Sequence, residues 1–223
     1  MIEVLKYDSK PISFMGKVAG VCWGADISNE EGNYKRGLEC INNNHGRVEE
    51  FADIVLVIDD YSARVIRELY THVIGTSRLQ SSTRYIDYSD FDYYTPNAIV
   101  KDENAKDIYD NFMNEVSKTY SALLGLGIKK EDIGNILPLG TTSKIVLKIN
   151  VRALLHMFEL RTCGRAYEEF RKLMNDMRNI LTELDSEWED LCKIYFKPKC
   201  KVLGYCNERY SCGLMPSKGG NND

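Results

Sequence analysis

A chain of 223 residues is long enough for one large domain or two small ones. With 43% hydrophobic and 28% charged residues it has a globular composition, which excludes a mainly disordered or fibrous protein. Its net charge of −4 gives no basic footprint for long nucleic acids, although a few local arginines suffice to hold a small anion. No run reaches the roughly 18 apolar residues that span a bilayer. The start, MIEVLKYDSKPI, lacks a basic segment followed by an apolar one, so no membrane span and no export signal are expected.

Residues 1–7 alternate Ile2, Val4 and Leu5 with polar residues and predict a short strand. A helix is expected over 11–24 and another over 31–43, the second ending at Asn42-Asn43-Asn44. The β-branched run Ile54-Val55-Leu56-Val57-Ile58 predicts a buried strand. Asp59, Asp60 and Ser62 then offer N-cap chemistry for a helix to about Val73, which Gly75 breaks. Residues 75–96 hold Ser, Thr, Arg, Gln and tyrosines with almost no aliphatics, so they predict a surface loop or the wall of a site. A long helix over 104–124 and a single turn at 130–134 follow, and Leu137-Pro138 stops regular structure. Residues 141–149 predict a strand that feeds directly into a helix from Asn150, running with a break near Gly164 to about Cys192. The tail from about 196 to 223 is expected to be irregular, and with no repeat or linker the whole chain, 1–223, is read as one α+β domain.

Seven cysteines, an odd number, and the absence of an export signal point to reduced thiols in a cytoplasm. Cys200, Cys206 and Cys212 are evenly spaced, but no C-x2-C pair is present, so no metal is assigned and the tail is read as carrying free thiols.

Two clusters carry chemistry. The first, Ser77-Arg78-Leu79-Gln80-Ser81-Ser82-Thr83-Arg84-Tyr85, gathers hydroxyls, an amide and two guanidiniums. That set suits a phosphate or a pyrimidine, because arginine presents forked donors to oxygens; a solvated loop is the equally weighted alternative. The second is Asn150, Arg152, His156, Arg161 and Arg165. Arg161 and Arg165 are four apart and share a side with Leu154 and Phe158, which turns them toward protein. Arg152 and His156 point elsewhere. The alternative for this cluster is a basic helix surface paired with Glu159, Glu168 and Glu169. No G-x-S-x-G, H-E-x-x-H, Walker lysine or calcium loop is present.

Together these segments resemble the flavin-dependent thymidylate synthases, the ThyX family, whose signature is approximately R-H-R-x7-S-x-R-Y. Ser82-Thr83-Arg84-Tyr85 matches its end, with Gln80 and Ser77 at further matching positions. Asn150, Arg152, His156 and Arg161 resemble the family's N-x-R-x-x-x-[HN]-x-x-x-x-R helix without a gap, and Leu137-Pro138 precedes it at the expected distance. His45-Gly46 and Phe51 resemble the family's H-G-H-x-S-P-F-E-H region, and the tail around Cys200, Cys206, Glu208 and Cys212 is similar to some members' C-termini. The chain also departs from the pattern. R-H-R falls on His72-Val73-Ile74, an arginine before the L-P pair falls on Gly134, S-P-F-E-H reads Glu49-Glu50-Phe51-Ala52-Asp53, and H-A-Q reads Arg165-Ala166-Tyr167. In the family R-H-R contacts flavin and nucleotide; Arg78 and Arg165 are candidates to replace some of the lost charge.

The resemblance implies long helices around a twisted mixed β-sheet and a cytoplasmic homotetramer with sites shared between subunits. It implies FAD reduced by NADPH, methylenetetrahydrofolate as carbon donor, and conversion of dUMP to dTMP. By the same resemblance Gln80, Ser81, Ser82, Thr83, Arg84 and Arg161 contact dUMP. Gln80, Asn150, Arg152, His156 and Arg165 hold FAD, and Arg161 is catalytic, stabilising an ionised pyrimidine. The departures keep two alternatives open: a nucleotide- or flavin-binding relative without synthase activity, and an enzyme of the same fold acting on another pyrimidine nucleotide.

Overall fold

A computed structural model describes residues 1–218. In chain order, β1 (Ile2–Tyr7) leads to α1 (Pro11–Trp23), which starts on a proline whose fixed φ suits a first helical turn. Helix α2 (Glu30–Asn42) is capped by Asn29, whose side chain accepts from the Gly32 amide. Next come β2 (Asp53–Ser62), α3 (Ala63–Leu69), β3 (Thr76–Gln80) and the short α4 (Asn97–Val100). The long α5 (Glu103–Gly125), capped by Asp102, precedes the single-turn α6 (Lys130–Ile133). Strand β4 (Thr142–Asn150) runs without a loop into α7 (Val151–Arg161). Then follow α8 (Glu168–Thr182), α9 (Ser186–Asp190), a π-helical turn over Leu191–Tyr195 and α10 (Lys199–Leu203).

The strands pair in the order β1-β2-β4-β3, which puts β3 at an edge. The resemblance implied a mixed sheet; each junction is instead antiparallel. Residues 1 and 8 meet 59 and 53, residues 59 and 53 meet 144 and 148, and residues 75 and 81 meet 150 and 144. Strands β2 and β4 bury alternate side chains, Ile54, Leu56 and Ile58 on one and Ile145, Leu147 and Ile149 on the other, as the period of two requires.

The chain forms two compact units. One comprises Met1, Val57–Thr71 and Arg78–Val146; the other Ile2–Leu56, His72–Ser77 and the chain from Leu147 on. The first has a small core of Tyr88, Tyr120 and Ile133, flanked by Phe91, Leu123 and Leu137. In the second, Ile12, Met15, Leu154, Phe158, Phe170, Met177 and Trp188 are fully buried, and the rings of Phe158 and Phe196 stack at 4.4 Å.

Five expectations change. Asp59 and Asp60 stay in β2 instead of capping a helix, because the backbone of Asp59 pairs with that of Met1; only Ser62 caps, accepting from Val65. Helix α3 stops at Leu69, short of Val73. The polar segment 75–96 contains a strand, β3, because an edge strand hydrogen-bonds on one side and needs no buried row of side chains. The helix from Asn150 breaks twice, at residues 162–167 and again before Asp185, whose carboxylate accepts from Glu187 and Trp188 and starts α9. The expected irregular tail contains α10, and its last part, residues 219–223, lies outside the described residues.

Candidate active site

The second cluster is built on the β4–α7 join. Asn150 ends the strand and its Oδ1 accepts from the Ala153 amide at 2.9 Å, so the strand's last residue is the helix cap. Gly75 pairs with it, its carbonyl accepting from the Asn150 amide at 3.0 Å. Gly75 has φ 74°, and a Cβ there would fall 2.5 Å from Asn150 Oδ1, so conformation and space both demand glycine.

Arg152 and His156, one turn apart and exposed, line a cavity of about 420 Å³ with Glu49, Glu159 and Tyr195. Arg152 Nη1 forms an ion pair with Glu50, the residue in the proline position of the S-P-F-E-H pattern. Glu49 beside it is only 6% exposed. Burial pushes its carboxyl up to about 7; Arg152 opposes that rise, while Glu159 and Glu50 add to it.

Arg161 is the last residue of α7. Its Nε donates to His72 Nε2 at 3.0 Å, and its guanidinium lies 4.7 Å from the centre of the Phe170 ring. The expected turn toward protein is therefore observed for Arg161, with Leu154 and Phe158 fully buried on the same helix, whereas Arg165 is exposed. His72 is itself buried and its ring meets His156 edge-on at 6.1 Å. A nitrogen that accepts carries no proton, so His72 faces Arg161 in its Nδ1–H form. Arg165 lies beyond the helix end and pairs with Glu208 at 2.9 Å. Arg161 and Arg165 line a second cavity, of about 350 Å³, whose wall also contains Cys163.

The first cluster begins at the end of β3. Gln80 Nε2 donates to Ser143 Oγ at 3.0 Å, and the Ser81 amide to the Lys144 carbonyl at 2.8 Å. Gln80, Ser81 and Thr83 line a cavity of about 180 Å³ with Gly134, Pro138 and Ser143. Ser82 lies outside it: its carbonyl accepts from Tyr85 and Ile86, and its Oγ accepts from the Arg84 amide at 3.3 Å. Arg84 lies on a different cavity, its Nε 2.9 Å from Glu131 Oε2 with the side chain 63% exposed. A Cβ at Gly134 would come within 3.0 Å of Thr83 Cβ, so Thr83 occupies room that an arginine at 134 would need. Arg78 is tied down too, donating to the Tyr70 carbonyl at 2.8 Å and lying over that tyrosine's ring.

The structure thus brings Gln80, Ser81 and Thr83 together in one unit. In the other it brings Arg152 to His156 and Arg161 to Arg165. It leaves Asn150 as a helix cap. Arg152 pairs with Glu50 and Arg165 with Glu208. Sequence reasoning missed His72, Glu49 and Ser143. His72 was visible only as a departure, and Glu49 only as one of two acids in a motif that had lost its histidines.

Residues 3–185 match the family model described as Thy1, thymidylate synthase complementing protein. This chain belongs to the Thy1 family. Both clusters lie inside the matched stretch, whereas Cys200, Cys206 and Cys212 lie beyond it. The chain is 31% identical to the flavin-dependent thymidylate synthase of Nitratidesulfovibrio vulgaris, covering 96% of this chain and 95% of that one. It is 30% identical to the flavin-dependent thymidylate synthase of Pyrococcus abyssi, covering 96% and 91%. The Thy1 fold is shared with a crystal structure of ThyX from Helicobacter pylori with FAD and dUMP. That likeness has a TM-score of 0.69 at 17% identity, over 88% of this chain and 99% of that one. The α+β class follows from these likenesses and from the helices and sheet described above. No helix among the described residues is long and apolar enough to cross a membrane.

Proposed function

We propose that this chain is a flavin-dependent thymidylate synthase that converts dUMP to dTMP with FAD, NADPH and methylenetetrahydrofolate. The observation that carries this reading is the gapless Asn150, Arg152, His156 and Arg161 series on one helix, inside the family-matched stretch, with Arg161 held against His72 and Phe170. The donor set around Arg152 and His156 suits a flavin nucleotide: a guanidinium and an imidazole for the diphosphate, and the buried Glu49 for a polar ring edge. FAD, once bound and reduced by NADPH, supplies the hydride that completes the methyl group carried in from the folate.

The residues of this chain have the remaining tasks. Gln80, Ser81 and Thr83 give amide and hydroxyl groups to the pyrimidine and sugar, Ser82 holds the turn that carries them, and Arg84 turns from Glu131 to a nucleotide oxygen. Arg161 holds a fixed positive charge beside N3 and favours the anionic ring, raising electron density at C5. A guanidinium stays charged, so its role is stabilisation and not proton removal. Arg165 adds charge on the same side. The whole chain acts as one catalytic domain, a reading supported by a family match that runs through residues of both units. Four chains assemble with sites shared between subunits, in the cytoplasm.

The test is single-turnover formation of dTMP from reduced flavin, dUMP and methylenetetrahydrofolate, with flavin oxidation followed directly. Protein that binds dUMP and FAD yet forms no dTMP would favour the non-synthase alternative. A stable single-chain mass by light scattering at micromolar concentration would break the shared-site assembly.

A further inference from the structure

Three evenly spaced tail cysteines make a poor metal motif alone, because each pair is separated by five residues and the fourth ligand is missing. The fold supplies that fourth residue from a distant part of the chain. Cys163 sits just past the end of α7, and Cys163, Cys200, Cys206 and Cys212 all line the 350 Å³ cavity beside Arg161 and Arg165. One further observation shows the closeness. A Cβ at Gly164 would lie 3.0 Å from Cys212 Sγ, so the tail packs directly on the α7 turn.

The backbone holds these residues in place. Cys200 lies in α10, just after Pro198, and is buried. Cys206 is also buried and is pinned by backbone bonds, its amide donating to the Pro216 carbonyl at 2.7 Å and its carbonyl accepting from Lys218 at 3.2 Å. The tail therefore doubles back, with Cys212 at the turn between two tied ends. Lys199, Arg161 and Arg165 line the same cavity with Glu159 and Glu208, Arg165 being paired with Glu208.

We propose that Cys163, Cys200, Cys206 and Cys212 form a tetrathiolate site for one zinc ion that fastens the tail to the end of α7. Four soft ligands with no other chemistry assigned to them select such an ion, and four thiolates close its tetrahedral shell, the mark of a structural centre. Loading forms four Zn–S bonds and releases four thiol protons to solvent, with no change of oxidation state. The product carries two negative charges, toward which Arg161 and Lys199 contribute opposite charge. Among the described residues no three potential ligands are already drawn to one point, so the cysteine side chains rotate inward on loading. The cavity shares Arg161 and Arg165 with the proposed dUMP and FAD chemistry, but the ligands Cys200, Cys206 and Cys212 lie past the family-matched residues.

The experiment measures metal in the full chain, after incubation with zinc and exhaustive gel filtration. One zinc per chain is expected, falling to near zero in Cys206→Ser and in Cys212→Ser, and unchanged in Cys22→Ser, whose thiol is exposed on α1. A second measurement needs no variant. Titrating the zinc-loaded parent with a mercurial should release the ion in step with four of its seven thiols, and cobalt in its place should give intense tetrahedral bands with thiolate-to-metal charge transfer. A parent that retains no zinc, or a Cys206→Ser chain that retains as much as the parent, would overturn the proposal. Disulfides among these cysteines in freshly purified protein would overturn it too. Iron with sulfide at the same cysteines would overturn the choice of zinc.

Discussion

The arginines on α7 and just beyond it are tied to partners in their own unit, whereas the loop after β3 ties down its backbone and leaves its charge near the surface. Arg152 is paired with Glu50, Arg161 with His72 and Arg165 with Glu208. In the loop, the Ser81, Tyr85 and Ile86 amides are bonded to carbonyls, while Arg84 makes one ion pair, with partners 63% and 40% exposed. An exposed pair of that kind contributes about 1 kcal/mol or less, so Arg84 is easily redirected to a ligand. A cation fixed before the reaction starts needs no reorganisation as charge develops, which suits a stabilising role. On the proposed reading, the first arrangement serves rate and the second serves capture.

The sharpest way to break that contrast is Arg161→Lys. Lysine keeps the charge but loses the planar fork, the bond to His72 and the stacking on Phe170. A loss of about 10²-fold or more is expected in single-turnover dTMP formation, with folding and FAD binding retained. A variant that matches the parent's rate removes Arg161 from the chemistry. Arg84→Ala comes next. It should weaken dUMP binding by on the order of 2 kcal/mol in calorimetry and leave FAD binding and the melting midpoint nearly unchanged. Unchanged dUMP affinity would show that the loop does not capture through this residue.

The smallest effect concerns Glu49, a buried acid with none of the loop's freedom. Its carboxyl is held up to about 7 against an ordinary 4.5. Between those values the folded chain binds more protons than the unfolded one, so stability falls as pH rises through the window. The cost is absent below about pH 4.5 and complete above about pH 7. Glu49→Gln should therefore flatten the dependence, gaining on the order of 1–2 kcal/mol at pH 8 and little at pH 5 in urea unfolding. Equal gains at both pH values would show that the carboxyl titrates normally.

What could be read from the sequence was local. The β4–α7 join, the long α5 and the inward turn of Arg161 follow from side-chain periods of two and 3.6, which the chain carries on its face. Strand β3 was hidden because its alternation is polar and its partner lies about 65 residues further on, so nothing in its own composition marks it. His72 looked like a lost arginine, since only the fold brings residue 72 to residue 161. The burial of Glu49 was hidden for the same reason: an acid next to another acid reads as surface until helix and loop close over it. Spacing along the tail says nothing of Cys163, 37 residues earlier than Cys200, which only the fold brings to the same cavity.

Where β4 passes into α7 with no residue between them, the chain leaves no slack for length variation. One residue added there would advance the helix about 1.5 Å and rotate it by about 100°. Arg152 and His156 would then leave their cavity and Arg161 would leave His72, all in one step. Insertions and deletions in this lineage should be absent at this join, so it acts as a molecular ruler that evolution can recolour but cannot lengthen.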